Sequence, residues 1–202
     1  MSLWLAPDPL LLASRSSARR SLLQAAGIPT EVRPADVDER GLEVGAGSEA
    51  PATVAAHLAL AKASAVARSN PGRLVLGADQ ILALDGKRFS KPVDRAAAGA
   101  QLRALRGRQH ELHSAIAFVQ DATVLFEQVE TARLTMRAFS DRFLDLYLDA
   151  IGNAALASVG AYQIEGMGIQ LLERVDGDYF TVLGLPLLTV LDFLRQRGCL
   201  AR

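Results

Sequence analysis

Cysteine is almost absent from this sequence. Cys199 is the single cysteine among 202 residues, so the chain can form neither an internal disulfide bond nor a metal site built from cysteines. Such cysteine usage is typical of a reducing compartment. No Lys or Arg precedes the apolar stretch 3–13, which therefore lacks the basic start of a signal peptide. Together these features predict a cytoplasmic protein.

Net charge and long apolar runs are lacking as well. The 22 basic and 22 acidic residues balance, so a nucleic acid or an acidic membrane would meet no excess of positive charge, and we expect neither as a partner. No run of about 18 apolar residues is present, which excludes a transmembrane helix. The length and the apolar fraction of 50% fit one globular domain, or one with a subsidiary lobe, and we predict a single domain that spans residues 1–202.

The standard short motifs of nucleotide and metal chemistry are also missing. The chain has no G-x-x-x-x-G-K-[ST], no G-x-G-x-x-G and no G-x-S-x-G, and the first absence counts against an ATP-dependent kinase. His110 and His113 imitate a zinc-binding pair, but their spacing in a predicted strand puts the two side chains on opposite faces. We therefore predict strand or surface histidines there rather than a zinc site.

Alternating strands and helices predict an α/β fold with a mixed sheet. The predicted strands are 10–13, 30–33, 74–78 with a continuation at 81–84, 111–119, 123–137 and 169–174. The first predicted helix starts after Ser16 or Ser17 as its cap and stops at Gly27, and the second covers 51–68. Asp94 is predicted to cap a helix through 105, and Ser140 a helix over 141–150. A final helix follows Pro186, with Leu187, Leu188, Leu191 and Leu194 facing inward. The acidic, glycine-rich stretch 36–49 is predicted to be a loop.

Residues 13–20 have the features of an anion site. A predicted strand end is followed by serines and by a helix N-terminus that carries Arg19 and Arg20. Backbone N–H groups at a helix start attract anions, and arginine supplies forked donors for phosphate oxygens. A serine cap followed by solvated arginines gives the same pattern, and these residues alone do not decide between the two interpretations.

A carboxylate and a lysine are further candidates. Asp79 stands where the buried strand 74–78 is predicted to end, and strand ends in α/β sheets are where ligands usually lie. Such a carboxylate can bind a divalent metal or activate a water molecule. A turn-forming Asp is the ordinary alternative, but apolar residues resume directly after Gln80. Lys91, which precedes Pro92, is a plausible phosphate contact, although a solvated lysine is the commoner case.

The order of short motifs along the chain resembles the Maf family of nucleotide pyrophosphatases. The motifs are residues 12–20 (LASRSSARR), 36–39 (DVDE), 61–63 (AKA), 77–80 (GADQ), 91–92 (KP), 160–162 (GAY) with 165–166 (EG), and 177–179 (GDY) with 184–186 (GLP). The resemblance implies hydrolysis of nucleoside triphosphates to the monophosphate and pyrophosphate with a divalent metal, Mg²⁺ or Mn²⁺. It also implies an elongated mixed sheet flanked by helices, two lobes around a nucleotide cleft, and a homodimer.

Matched position by position, the resemblance assigns roles to several residues. Asp79 matches the catalytic acidic residue that accepts a proton from water, and Glu39 matches an acidic residue that holds the metal together with Asp79. The positions expected to contact the polyphosphate are Ser14, Arg19, Lys62 and Lys91. A triphosphate concentrates negative charge, so a metal and cationic side chains that neutralise it suit a base that positions water.

Positions 18, 80 and 165 are expected to separate the branches of the family by substrate. The resemblance implies Arg, Thr and Gln for a branch acting on dTTP and UTP, and Trp, Gln and Glu for a branch acting on 7-methyl-GTP. This chain has Ala18, Gln80 and Glu165, so two of the three positions match the second branch. The Glu165 carboxylate suits a cationic methylated purine, whereas Ala18 lacks a ring to stack on it.

These observations leave more than one function open. The leading hypothesis is a metal-dependent nucleoside triphosphate pyrophosphatase that removes modified nucleotides. The alternative is a nucleotide-binding regulator of cell division without turnover, because the family takes its name from an effect on septum formation. Ser17 and Ala18, which depart from the family's anion loop, support this alternative. A phosphatase of small phosphorylated metabolites is the third hypothesis.

Overall fold

The computed structural model describes residues 3–202, and within this range it contains seven β-strands and seven α-helices. In chain order they are β1 (Leu10–Ala13), α1 (Ser17–Ala25), β2 (Thr30–Val32), α2 (Glu39–Gly45), α3 (Pro51–Arg68), β3 (Leu74–Leu84), β4 (Lys87–Phe89), α4 (Arg95–Leu105), β5 (Gln109–Gln120), β6 (Thr123–Met136), α5 (Asp141–Ile151), β7 (Leu172–Asp176), α6 (Tyr179–Val182) and α7 (Leu187–Gln196). Short 3₁₀ helices lie at Gly152–Leu156, Val159–Ala161 and Met167–Leu171. None of the helices in the described range is both long enough and apolar enough to cross a membrane.

The strands form one mixed sheet in the order β2-β1-β3-β5-β6-β7, with β4 paired to β3. Strand β1 is parallel to β2 and to β3, whereas β3–β4 and β6–β7 are antiparallel. All four residues of β1 are buried and apolar, as expected for a strand between two parallel neighbours. The mixed sheet flanked by helices confirms the predicted α/β fold.

The described residues divide into two compact units. The first unit contains residues 3–80, 113–130 and 178–202, and the second contains 81–112 and 131–177. Three of the four boundaries between the units fall within strands, because β3, β5 and β6 each contribute residues to both units. The core of the first unit includes Leu12, Leu76, Ile116 and Phe118, and the ring of Phe118 stacks on Phe193 with 4.2 Å between centroids.

The second unit buries polar aromatic groups in its interior. His110 Nε2 lies 2.6 Å from the hydroxyl oxygen of Tyr162, and the Tyr147 hydroxyl donates to the carbonyl of Ala161 over 3.1 Å. Burial lowers the pKa of His110 to about 4. His110 and His113 both lie in β5, as predicted, but both are buried rather than at the surface. Within residues 3–202 no group of metal-binding side chains includes them.

Three predictions about the helices and strands are wrong. The stretch 36–49 contains helix α2, which the Asp38 side chain caps by accepting from Gly41 N; none of the residues of α2 is buried, so no apolar period marks this helix in the sequence. Strand β3 runs without a break through Asp79 to Leu84. Strand β7 begins only at Leu172, because Met167–Leu171 forms a 3₁₀ helix.

Candidate active site

Glycine at position 77 lets helix α3 lie directly against strand β3. A methyl group on Gly77 would lie 2.1 Å from the Ala59 carbonyl oxygen and 2.7 Å from Ala63 N, so a larger residue would push the helix backbone away. Gly77 and Asp79 share one face of β3 because residues two apart in a strand point the same way. The close approach therefore brings Lys62, on the same side of α3, to Asp79.

Lys62 joins two carboxylates in the interior. Its Nζ donates to Asp79 Oδ1 over 2.6 Å and to Glu39 Oε2 over 2.8 Å. Lys62 is 7% exposed and Asp79 is 8% exposed, whereas Glu39 begins the surface helix α2. Water therefore screens the Lys62–Asp79 pair poorly, and neither charge could be buried at low cost without the other.

The environment of Asp79 suits a group that exchanges a proton. Burial raises the pKa of the Asp79 carboxyl above its ordinary value, and the nearby charge of Glu39 acts in the same direction. The positive charges of Lys62 and Arg19, together with the hydrogen bond from Lys62, lower this pKa and so oppose the effect of burial. A carboxylate with a raised pKa is a stronger base than an exposed aspartate.

Arg19 ties three segments of the first unit together. Its Nε donates to the Gly184 carbonyl over 2.8 Å, and its Nη1 donates to the Ala78 carbonyl over 2.7 Å and to Ser14 Oγ over 3.2 Å. Arg19 is 9% exposed, and burial lowers its pKa while the charges of Asp79 and Glu39 raise it. Because these bonds use Nε and Nη1, Nη2 carries the N–H groups with which Arg19 would meet a phosphate.

The serine-rich segment before helix α1 contains a helix cap. Ser16 caps the helix by accepting from Arg19 N over 3.3 Å, and Ser14 Oγ accepts from Ser16 N over 3.2 Å. The predicted serine cap is thus present. Arg20 is exposed as a solvated arginine would be, but Arg19 is buried, so the two arginines have different environments.

The side-chain amide of Gln80 is held in one orientation. Its Nε2 donates to the carbonyl oxygens of Thr181 and Val182 over 3.1 and 3.0 Å, and to Ser114 Oγ over 3.0 Å. Two carbonyl oxygens can only accept, so the amide atom that faces them must be the nitrogen. A methyl group on Gly184 would lie 3.5 Å from both Gln80 Oε1 and Arg19 Nη2, so both side chains reach Gly184.

The chemistry of the donor set fits a divalent cation. Asp79 Oδ1 and Glu39 Oε2 both converge on a positive charge, the Lys62 ammonium. Within residues 3–202 no cluster of three or more His, Cys, Asp or Glu side chains forms a complete metal site. Mg²⁺ usually takes only one or two carboxylates and completes its ligands with water and substrate phosphates, so these two carboxylates suffice for it.

Comparison with known proteins identifies the family. The Maf-like protein family matches residues 9–197 of the chain. The chain belongs to this family.

Among Maf-like relatives, a protein of Rhodopseudomonas palustris named "Nucleoside triphosphate pyrophosphatase" is 55% identical over 201 residues, which cover 100% of both chains. A protein of Rhizobium meliloti named "7-methyl-GTP pyrophosphatase" is 49% identical over 193 residues, which cover 95% of this chain and 97% of its own. A dITP/XTP pyrophosphatase structure from Mycobacterium abscessus is 16% identical, covers 95% of both chains and has a TM-score of 0.43.

Seven of the nine predicted site residues lie in the first unit of the Maf-like chain, which brings six of these close to one another, on or next to β1, α1, α2, α3 and β3. They are Ser14, Arg19, Glu39, Lys62, Asp79 and Gln80. Ala18 is in the same unit, partly buried on α1. Lys91 and Glu165 belong to the second unit, where both are exposed. The roles of all nine residues stay predictions.

Asp79 differs from its predicted place, because it lies in the middle of β3 and not at a strand end. Ala13, the last residue of the neighbouring parallel strand β1, pairs with Gly77. Asp79 therefore lies just past the end of β1. The strand end that is predicted beside Asp79 is thus the end of β1 and not an end of β3. Ser14, which follows β1 directly, is at the same edge.

Sequence reasoning missed the contact residues Ser114, Thr181 and Gly184 of this Maf-like chain. The sequence marks Gly184 only as part of a motif; its φ of +90° and its closeness to Arg19 explain why glycine stands there. Only the family resemblance assigns Lys62 to the site, although the sequence of the helix also singles this residue out. It is the only charged residue in the buried stripe of α3.

Proposed function

We propose that this chain hydrolyses nucleoside triphosphates to nucleoside monophosphates and pyrophosphate, that it depends on a divalent metal, and that modified nucleotides such as 7-methyl-GTP are among its substrates. The observation that carries the proposal is the buried Asp79 carboxylate held 2.6 Å from Lys62 Nζ, with Glu39 on the same ammonium group. The names of the Maf-like relatives at 55% and 49% identity support the same reaction class.

The reaction requires water to attack a phosphorus atom of the anhydride between the α- and β-phosphates. One oxygen–phosphorus bond forms, the bond to the bridging oxygen breaks, and pyrophosphate leaves. Asp79 accepts the proton that water loses, which its raised pKa favours. Lys62 and Arg19 supply positive charge for phosphate oxygens close to Asp79.

Asp79 and Glu39 would hold the divalent cation, which when bound neutralises phosphate charge and polarises the reacting phosphoryl group. Lys62 keeps the two carboxylates together, since its Nζ bonds to both of them. The Arg19 side chain aligns the end of β1 with β3 by bonding to Ser14 and Ala78. Both residues thus hold the site in place as well as providing charge.

The choice of base rests on residues with different environments. In the first unit, the fixed Gln80 amide presents Oε1 as an acceptor beside Gly184. In the second unit, Glu165 is exposed and offers a carboxylate that suits a cationic 7-methylguanine. Ala18 provides no aromatic ring for stacking, so we expect recognition of the base by hydrogen bonds and charge more than by stacking.

We further propose that the enzyme forms one functional domain, works in the cytoplasm and is a homodimer. The match of the Maf-like family to residues 9–197, which includes parts of both units, supports the single domain. Cysteine usage supports a reducing compartment. Sedimentation velocity of the purified protein, with a dimer expected, measures the oligomeric state.

A nucleotide panel tests the reaction. Purified protein is incubated with Mg²⁺ or Mn²⁺ and GTP, dTTP, UTP, dITP or 7-methyl-GTP, and the products are separated by anion-exchange chromatography. We expect monophosphate and pyrophosphate in equal amounts, with no turnover in EDTA. Release of single phosphates would indicate a phosphatase instead, and tight binding without turnover would favour the regulator of cell division.

Substitution of the proposed base tests the mechanism. Asp79→Asn keeps the shape of the side chain but removes its basicity, so we expect turnover to fall by about 10²-fold or more. The matched control is Asp149→Asn, because Asp149 is an exposed carboxylate that pairs with Arg95 on the surface. If Asp79→Asn kept full activity, Asp79 would not be the base.

A further inference from the structure

Glu130 is a partly buried carboxylate that no step of the proposed reaction uses. It lies on β6, and its described hydrogen bonds come from two hydroxyl groups rather than from a cation. Thr181 Oγ1 lies 3.0 Å from Glu130 Oε2 and 3.2 Å from Asp178 Oδ2, so both carboxylates can accept its one hydroxyl proton, and Glu130 is the nearer of the two. Thr189 Oγ1 donates to Glu130 Oε1. Glu130 therefore joins helix α6, which carries Thr181, to helix α7, which carries Thr189.

Thr181 is the residue through which this carboxylate reaches the candidate site. Its carbonyl oxygen accepts from Gln80 Nε2 and, over 2.8 Å, from the buried hydroxyl of Ser114. Its backbone N donates to Asp178 Oδ2 over 2.8 Å. Thr181 is 1% exposed, so its position is set by these bonds and not by water.

The orientation of the Gln80 amide depends on this arrangement. Nε2 faces the carbonyl oxygens of Thr181 and Val182, which leaves Oε1 beside Gly184. If the carbonyls moved away, rotation of the amide would exchange the acceptor for a donor at the same place. The group that a bound base meets at Gln80 would then change its hydrogen-bonding character.

We propose that Glu130 is a positioning residue for base selection: through the hydroxyl of Thr181 it fixes the carbonyls that orient the Gln80 amide, so that Gln80 presents an acceptor. This inference rests on the proposed function, since it concerns which nucleotide is hydrolysed. Glu130 touches neither the substrate nor the reacting atoms. Its removal changes the preference between bases more than the rate of the phosphate chemistry.

The first arm of the test needs no activity. In the full-length protein without nucleotide or metal, the Gln80 side-chain NH₂ signals are assigned in a ¹H–¹⁵N spectrum by their loss in Gln80→Ala. Glu130→Ala and Thr181→Val should shift these signals and speed their exchange with solvent. Glu127→Ala, which alters an exposed carboxylate on the same strand, should leave them unchanged. Unmoved Gln80 signals in both variants overturn the positioning role.

The second arm measures selectivity as the ratio of kcat/KM for 7-methyl-GTP to that for dTTP. Glu130→Ala should change this ratio by about threefold or more, the value of a typical hydrogen bond, and should change it no further in a Gln80→Ala background. Glu130→Gln, which keeps one acceptor oxygen for the Thr181 hydroxyl, should restore most of the ratio. It also serves as the folded variant if Glu130→Ala is unstable.

The outcomes separate this inference from the proposed function. An equal fall of kcat/KM for both nucleotides, with an unchanged ratio, shows a purely structural role and overturns base selection. If the unmodified protein hydrolyses no triphosphate, the proposed function fails and base selection fails with it, while the Gln80 signals still decide whether Glu130 orients the amide.

Discussion

Lys62 is the residue on which the polar interior of the first unit depends. Its ammonium group compensates the buried Asp79 carboxylate at 2.6 Å and reaches Glu39 on a different helix. A buried ion pair of this kind adds little net stability compared with apolar residues, but removal of one partner leaves the other charge uncompensated. The pair is therefore better explained by function than by stability.

We predict that Lys62→Met lowers the free energy of unfolding by about 3–5 kcal/mol, because it leaves Asp79 buried without its partner. Urea unfolding in EDTA and without nucleotide measures the change. Lys87→Met is the matched control, since Lys87 is exposed, and it should change stability by less than about 0.5 kcal/mol.

A double-mutant cycle separates the ion pair from loss of packing by the lysine stem. Lys62→Met combined with Asp79→Leu removes both charges, so the double variant should be more stable than Lys62→Met alone. If the two substitutions were simply additive, the charges would not interact as their distance suggests.

His110 makes the stability of the protein depend on pH. Burial lowers its pKa in the folded state to about 4, against about 6.5 in an unfolded chain. Between these values the unfolded state binds the extra proton, so the contribution is fully present above pH 6.5 and is lost as the pH falls toward 4. The loss amounts to about 3 kcal/mol.

His110→Gln should flatten the decline of stability between pH 6.5 and 4, measured by urea unfolding at a series of pH values. His57→Gln is the control, because His57 is exposed on α3, and it should retain the decline. Parallel pH curves for the unmodified protein and His110→Gln would contradict the assignment.

At the scale of elements, three helices that the sequence predicts begin at a capping residue. Ser16, Asp94 and Ser140 each cap a helix as expected, because a side-chain oxygen that satisfies a free N–H is a local feature. Position 188 shows that the spacing of apolar residues does not always predict which of them are buried. Leu188 was expected to face inward but is 61% exposed, whereas Val190 is buried, since the packing partners of α7 decide which face is covered.

The candidate site was less predictable than the elements. Asp79 and Arg19 could be suspected from local patterns, but their contacts with Lys62 and Gly184 join residues 17 and 165 positions apart. Such contacts follow from how strands and helices pack, which short-range sequence patterns do not encode. For the same reason, no sequence pattern indicates the network around Glu130 and Thr181.

The packing of α3 on β3 is the element-scale feature most sensitive to substitution. Gly77→Ala would place a methyl group 2.1 Å from the Ala59 carbonyl oxygen, so the helix must move. We predict a loss of about 1–3 kcal/mol in the free energy of unfolding and a fall in turnover, because Lys62 moves with α3. Urea unfolding and the nucleotide assay measure the two effects.

Gly45→Ala provides the comparison for Gly77→Ala. A methyl group on Gly45, at the end of α2, meets nothing within 4 Å, and alanine favours helix over glycine by up to about 1 kcal/mol. This variant should be as stable as the unmodified protein or slightly more stable. Equal effects of the two substitutions would show that the close approach at Gly77 is unimportant.

At the scale of the whole molecule, neutral net charge is compatible with cations that are placed locally. The 22 basic and 22 acidic residues leave no net positive charge that would attract a long polyanion. Lys62 and Arg19 nevertheless lie next to Asp79 in the first unit, and in the proposed function they are the donors that a small polyanion would meet. The overall balance of charge is thus compatible with a nucleotide substrate and unfavourable for nucleic acid.

The chain path predicts that both units unfold together. The boundaries between the units interrupt β3, β5 and β6, so unfolding of the second unit would fray three strands of the first. We expect one cooperative transition, with equal calorimetric and van't Hoff enthalpies.

Fluorescence of Trp4, the single tryptophan, reports on the first unit, and near-UV absorbance of the buried Tyr147 and Tyr162 reports mainly on the second. Gly77→Ala, which perturbs only the first unit directly, should lower the urea midpoint of both signals by the same amount. Two separate midpoints would instead show that the units are independent domains.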